Sequence, residues 1–261
     1  MTAEHSISEA AQLILAQPAP LLFLDTCAVF DVLRLASERE GQPERILAAT
    51  ERILAMASAP ARGLWILSAS IIDTEWRDNV QTVIDGVRAH ITRVDRSLVK
   101  LHAAIRATKF TQASLRRGDP AAIEIGQLPQ IEQFGLPERL LEICERIMAS
   151  AVWLPPDDAI LRATHLRSTD RRKPAARGKR ETPDCQIIET YFALCRALRS
   201  RGFEERCVFA SSNKSDFYGE GEPLPPHEEL AAECNEVNLQ FAVAFDHALS
   251  ILYSSGTAET T

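Results

Sequence analysis

None of the six cysteines, at positions 27, 144, 185, 195, 207 and 234, pairs with another as C-x-x-C, and no histidines have zinc-ligand spacing. A zinc module of the usual kind is therefore excluded. No apolar run approaches the length of a membrane span. The start, MTAEHSISEAAQLILAQPAP, lacks the basic segment followed by an apolar stretch that marks a secretory signal. These absences predict a cytoplasmic protein with reduced thiols and no membrane partner. Positive charge is not in excess either: the formal net charge is −7, which argues against non-specific coating of DNA but leaves room for a local basic groove. No internal repeat is present. What remains is an ordinary globular composition over 261 residues. A chain of that length buries roughly 75% of its unfolded surface and needs no disulfide or structural metal to hold a core.

Residues 20–24 (PLLFL), 64–68 (LWILS), 207–211 (CVFAS) and 239–245 (LQFAVAF) are short apolar runs of the kind that form buried parallel strands. Between them the apolar spacing turns helical, over 26–37, 43–58, 138–151, 157–168 and 183–200. Pro43 suits the first turn of one of these helices, and Thr182 with Pro183 opens another. A helical pattern from Ala69 to about Thr108 exceeds ordinary helix length and predicts a long arm or helical hairpin. Six glycines and prolines between 118 and 137 mark a link, and the stretch 168–182 reads as a basic loop. Strands alternating with helices predict an α/β fold with a parallel sheet. The expected layout is one domain over 17–253, a helical insertion at 85–155 and a disordered tail at 254–261.

Ligands of such sheets bind beyond the carboxyl ends of the strands, and acids gather there. Asp25 directly follows the first strand. Glu75 lies about two turns into the helix after the second. Asp184 sits in the first turn of the helix before the third, and Asn213 and Asp216 follow the third. Like-charged carboxylates repel unless a cation neutralises them. An all-oxygen donor set suits Mg²⁺ or Mn²⁺, ions that activate water and stabilise in-line phosphoryl displacement. Each residue also has a plainer reading. Asp25 could cap a helix. Glu75, between Asp73 and Asp78, could lie on a solvated face. Asp184 could answer a helix dipole. Asn213 could form a turn, and Asp216 could close the same loop. Asp31 and Glu189 read as structural.

LLFLDTCAVFDVLR resembles the opening strand and helix of PIN domains. GKRETPDCQIIETYF resembles the segment that delivers the third acid in a bacterial PIN-like subgroup, and VFASSNKSDF is similar to that subgroup's T-x-N-x-x-D-F strand end, with Ser211 for threonine. Glu75 falls where the second acid is expected. The resemblance implies a PIN-like three-layer α/β/α fold and a Mg²⁺- or Mn²⁺-dependent endoribonuclease that cuts single-stranded RNA to a 5′-phosphate and a 3′-hydroxyl. Asp25, Glu75 and Asp184 would hold metal, and Asn213 and Asp216 would complete the shell or orient water. Asn213 stands where many PIN domains carry aspartate, so one ion or two remains open. Thr26 is a candidate substrate contact, as are Arg171, Arg172, Lys173, Lys179 and Arg180 in the basic run that also includes Arg167 and Arg177. A second basic set from Arg88 to Lys109 reads as a solvated helix face. Rival readings are a degenerate PIN fold that only binds, a structure-specific DNA nuclease, and a HAD-like phosphatase. The last is disfavoured because Cys27 stands where that chemistry needs a second aspartate. A toxin role with an antitoxin partner, and a homodimer, stay open.

Overall fold

The computed structural model describes residues 4–37, 43–115, 134–175, 182–221 and 224–254, with backbone alone at 102 and 105–115. Its centre is a five-stranded sheet in which every pairing is parallel: β1 (Leu21–Leu24), β2 (Trp65–Ala69), β3 (Val152–Leu154), β4 (Cys207–Ala210) and β5 (Leu239–Ala242), in the spatial order β3-β2-β1-β4-β5. β1, β2 and β4 are buried at every position, which is why they read as unbroken apolar runs rather than alternating ones.

Helices cover both faces. On one lie α1 (Ile7–Ala16), α6 (Asp158–Thr169), α7 (Thr182–Arg199) and α9 (Glu228–Val237). On the other lie α2 (Thr26–Leu33), α3 (Pro43–Ala57), α4 (Ile71–Leu115), α5 (Leu136–Ser150) and α10 (Phe245–Tyr253). The division follows from handedness. Right-handed crossovers moving outward from β1 through β2 to β3 put their helices on one face, and crossovers moving back through β4 to β5 put theirs on the other. The fold is thus a three-layer α/β/α sandwich. The order reverses beside β1, so the carboxyl ends of β1 and β4 flank a topological switch point. One short helix, α8 (Lys214–Phe217), follows β4 directly.

Local chemistry sets several boundaries. Ser6 and Glu9 form a reciprocal capping box at the start of α1. Asn238, at φ 51°, ends α9 in the left-handed conformation and turns the chain at once into β5. α4 is continuous for 45 residues, about 68 Å at 1.5 Å per residue. Its Ile72, Trp76, Ile84, Val87 and Ile91 are buried, whereas Val99 and Leu101 are exposed.

Three expectations change. The sheet has five strands instead of four, because the three-residue β3 carries too little pattern to separate from the end of α5. The segment 239–245 divides into β5 and the first residue of α10. The expected insertion at 85–155 is only partly one: α5 buries Leu140, Cys144, Ile147 and Met148, and β3 pairs with β2, so both belong to the body. The link at 118–133 and the tail from residue 255 lie outside the described residues. No helix among the described residues is long and apolar enough to cross a membrane.

Candidate functional site

Asp25 leaves β1 at the switch point, its amide donating to Ala210 O across the gap to β4 at 3.1 Å. It stands at the N-cap position of α2, yet its carboxylate makes none of the usual side-chain capping bonds to that helix. Its Oδ2 instead accepts from Ser211 Oγ at 2.5 Å. Asp25 is only 2% exposed. Burial raises its carboxyl from the ordinary 3.8 to about 6, and the charge of Glu75 adds to the rise, while bonds from Ser211, the Thr26 amide and Cys27 oppose it.

The structure separates Glu75 from its acidic neighbours. Asp73 pairs with Arg77 at 2.6 Å and Asp78 faces solvent, while Glu75 is half-buried and accepts the hydroxyl of Thr26. Burial raises the Glu75 carboxyl, partly offset by that bond. Asp184 lies in the first turn of α7 and is half-buried.

One thiol lies within reach of several of these charges. Cys27 is held above the usual range first by burial and then by the charges of Asp25, Asp184, Asp31 and Glu75. Carboxylates from β1, α2, α4 and α7 therefore act on one point, and every charge that shifts Cys27 is negative. Asp31, read from sequence as structural, belongs to this acidic surround; its place one turn beyond Cys27 on α2 was the available signal.

Below the acids, the Tyr191 hydroxyl on α7 donates to Leu24 O and accepts from the Ala69 amide at 3.2 Å. It ties α7 to the ends of β1 and β2. Tyr218, also buried, donates to Ser211 O at 2.9 Å. Burial pushes both phenols up, and the charge of Asp25 adds to it. Ser211, Tyr191 and Tyr218 were not singled out from the sequence. Ser211 was visible only as a substitution within a strand-end motif, and a tyrosine inside a helical apolar pattern looks like core. Tyr191→Phe leaves a buried amide and carbonyl without that partner. We expect it to cost about 1–3 kcal/mol, measured as a lower urea midpoint with an unchanged slope.

The remaining candidates divide. The Asn213 amide donates to Ser211 Oγ at 3.1 Å, and Asn213 Oδ1 accepts from Ser215 Oγ at 3.0 Å. Asn213 therefore joins the site through Ser211, while its carboxamide oxygen holds the loop. Asp216 lies half-buried on α8. Thr26, expected to meet substrate, is 4% exposed with its hydroxyl given to Glu75; it orients an acid. The basic run divides as well. Arg167 is 1% exposed and paired with Glu189 and Glu233. Arg172 pairs with Glu233. Lys173 is 8% exposed, its ammonium 3.3 Å from Ser215 O. A buried guanidinium or ammonium needs internal partners, and Arg167 and Lys173 have them, while Arg172 is exposed and paired. Arg171 is exposed at φ 55°. Lys179 and Arg180 lie outside the described residues.

Among the described residues, no three His, Cys, Asp or Glu side chains stand close enough together to hold a metal ion. The donor chemistry nevertheless fits a hard divalent cation. Burial raises both the Asp25 and the Glu75 carboxyls and the Glu75 charge adds to the rise at Asp25, and Mg²⁺ characteristically takes one or two carboxylates and keeps several waters. Compared with known proteins, the chain matches no family model, no curated protein and no solved structure.

Proposed function

We propose that this chain is a divalent-metal-dependent nuclease whose centre is the acidic cluster at the switch point, and that its substrate is single-stranded RNA. The observation that carries the reading is Asp25: an aspartate buried beside a second acid, with two further carboxylates acting on its neighbour Cys27. Such an arrangement is costly in an empty protein and useful around a cation. Asp25 and Glu75 would hold Mg²⁺ or Mn²⁺, with Asp184 contributing directly or through water. When bound, the ion would supply an activated water and charge stabilisation for phosphodiester hydrolysis.

The chain's own residues do the rest. Ser211 fixes the Asp25 carboxylate, and Thr26 fixes that of Glu75. The Asn213 amide holds Ser211, and Tyr191 and Tyr218 close the floor. Arg171, at the exposed end of the loop that leads to α7, is available to a phosphate backbone, a contact that positions without reading sequence. The likeness of the three quoted sequence segments to PIN-like nucleases supports the choice of RNA and a product with a 5′-phosphate.

We expect cleavage of single-stranded RNA in Mn²⁺ or Mg²⁺, its loss in EDTA and its return on adding back either ion, followed on labelled oligonucleotides. Cleavage of structured DNA alone would move the substrate assignment. Cleavage that survives chelation, or Mn²⁺ binding without cleavage of any nucleic acid, would overturn the reading; the latter outcome would leave a binding module.

A further inference from the structure

A hydrogen-bonded path leads from a buried ion network to Asp25. Arg167, on α6, spends its guanidinium on three partners: Nε donates to Glu189 Oε1 of α7 at 2.6 Å, Nη1 to Lys173 O at 2.6 Å, and Nη2 to the Glu233 carboxylate of α9 at 2.8 and 2.9 Å. The Lys173 amide donates to Glu229 Oε2 of α9 at 2.9 Å. Lys173 is thus fixed by its backbone at both its amide and its carbonyl. From there its buried ammonium reaches Ser215 O at 3.3 Å. α8 is one turn long; the Tyr218 amide donates to Lys214 O while the Gly219 amide turns to Pro225 O, so the Ser215 carbonyl lies at a helix end, where a cation is the kind of group that satisfies it. Ser215 in turn holds Asn213, the Asn213 amide holds Ser211, and Ser211 holds Asp25.

We propose that Lys173 is a positioning residue: anchored by the Arg167 network, its ammonium sets the loop from Ser211 to Asp216 and thereby the orientation of the Asp25 carboxylate. This deepens the metal-centre reading and rests on it for one of its two measurements. The physical requirement is precision. A carboxylate that must meet a cation needs its own partners held in place, and loss of such outer partners typically weakens metal affinity by about 10–100-fold. The sequence offers Lys173 as one more cation in a basic run. In the folded chain its charge faces inward, toward the loop that carries the strand-end motif.

The test is Lys173→Met, which keeps the aliphatic stem and leaves the backbone bonds to Arg167 and Glu229 in place. Two readouts are taken on the full chain: Mn²⁺ binding by electron paramagnetic resonance, and amide hydrogen exchange. We expect Mn²⁺ affinity to fall about tenfold, and exchange to quicken at residues 211–218 but not in α6, α7 or α9. Lys173→Arg, which retains a cation, is expected to restore both at least in part. Unchanged exchange at 211–218 would overturn the proposal. So would exchange that quickens equally across α6, α7 and α9 with a lower melting temperature, since that marks a purely structural role. If the unsubstituted protein binds no Mn²⁺, the metal reading fails by itself, and the exchange pattern still decides whether Lys173 sets the loop.

Discussion

Asp25→Asn is expected to abolish cleavage and to stabilise the fold at neutral pH in the same protein. The Asp25 carboxyl ionises at about 6 in the folded chain against an ordinary 3.8, chiefly through burial. The sign follows from proton linkage. Between these two values the folded state binds more protons than the unfolded state, so stability falls as pH rises from about 4 to about 6 and stays lower above that. The difference corresponds to about 3 kcal/mol at pH 7. Asparagine carries no charge and keeps an acceptor for Ser211, although its amide hydrogens meet the donors of Thr26 and Cys27. We therefore expect a net gain of about 1–3 kcal/mol, which for a chain of this size raises the melting temperature by roughly 3–9 °C. The gain should vanish below about pH 4, where both proteins are neutral at this position. Added Mn²⁺ should raise the melting temperature of the unsubstituted protein by mass action and leave the variant unmoved. Activity should drop about a hundredfold or more, the scale of losing one group that stabilises developing charge. A variant that melts several degrees lower at pH 7 would mean that the Asp25 charge stabilises the metal-free fold, and the argument for a site that waits for a cation would fail.

The parts of the fold that the sequence made legible are those where one interaction dominates. β1, β2 and β4 are buried on both faces, so each shows a bare apolar run with a residue of consequence at its end. α3 and α7 carry prolines where a helix start tolerates them. The parts that were not legible depend on tertiary context. β3 exists because α5 delivers three residues to the edge of β2, and nothing within Val152–Leu154 says so. At the site, position in the chain picked out Asp25, Glu75, Asp184 and Asn213. The roles of Ser211, Tyr191 and Asp31 come from the direction in which side chains point once the layers have packed. The basic run shows the limit most clearly. Seven cations between 167 and 180 look alike in one dimension. Burial divides them: Arg167 and Lys173 turn into the protein and Arg171 remains outside. Charge counts do not distinguish a phosphate-binding loop from an internal ion network, because the acids that neutralise this one lie on α7 and α9.

Arg167→Met should be the most destabilising of the substitutions considered. Arg167 is 1% exposed, and the carboxylate side chains of Glu189 and Glu233 facing it are 9% and 15% exposed. Methionine fills much of the same volume against Phe192, over whose ring the guanidinium now lies at 5.7 Å. It provides no counter-charge. Removing one partner of a buried pair leaves the other charge uncompensated, at a cost of about 3–5 kcal/mol. Here two carboxylates and the Lys173 carbonyl are stranded, and among the described residues Glu233 retains another cation, Arg172. The cost should therefore lie toward the upper end at pH 7, a loss of roughly 10–15 °C in melting temperature. Burial penalises only the charged form of a carboxylate. The triple variant in which Glu189 and Glu233 also become glutamine removes the stranded charges. It should recover part of the loss at pH 7, because replacing a buried ionic group as a whole costs far less than breaking it. Denaturant unfolding of the three proteins at pH 7 checks this. A loss with no recovery in the triple variant would show that Arg167 contributes packing rather than charge, and that the network does not fix Lys173 electrostatically.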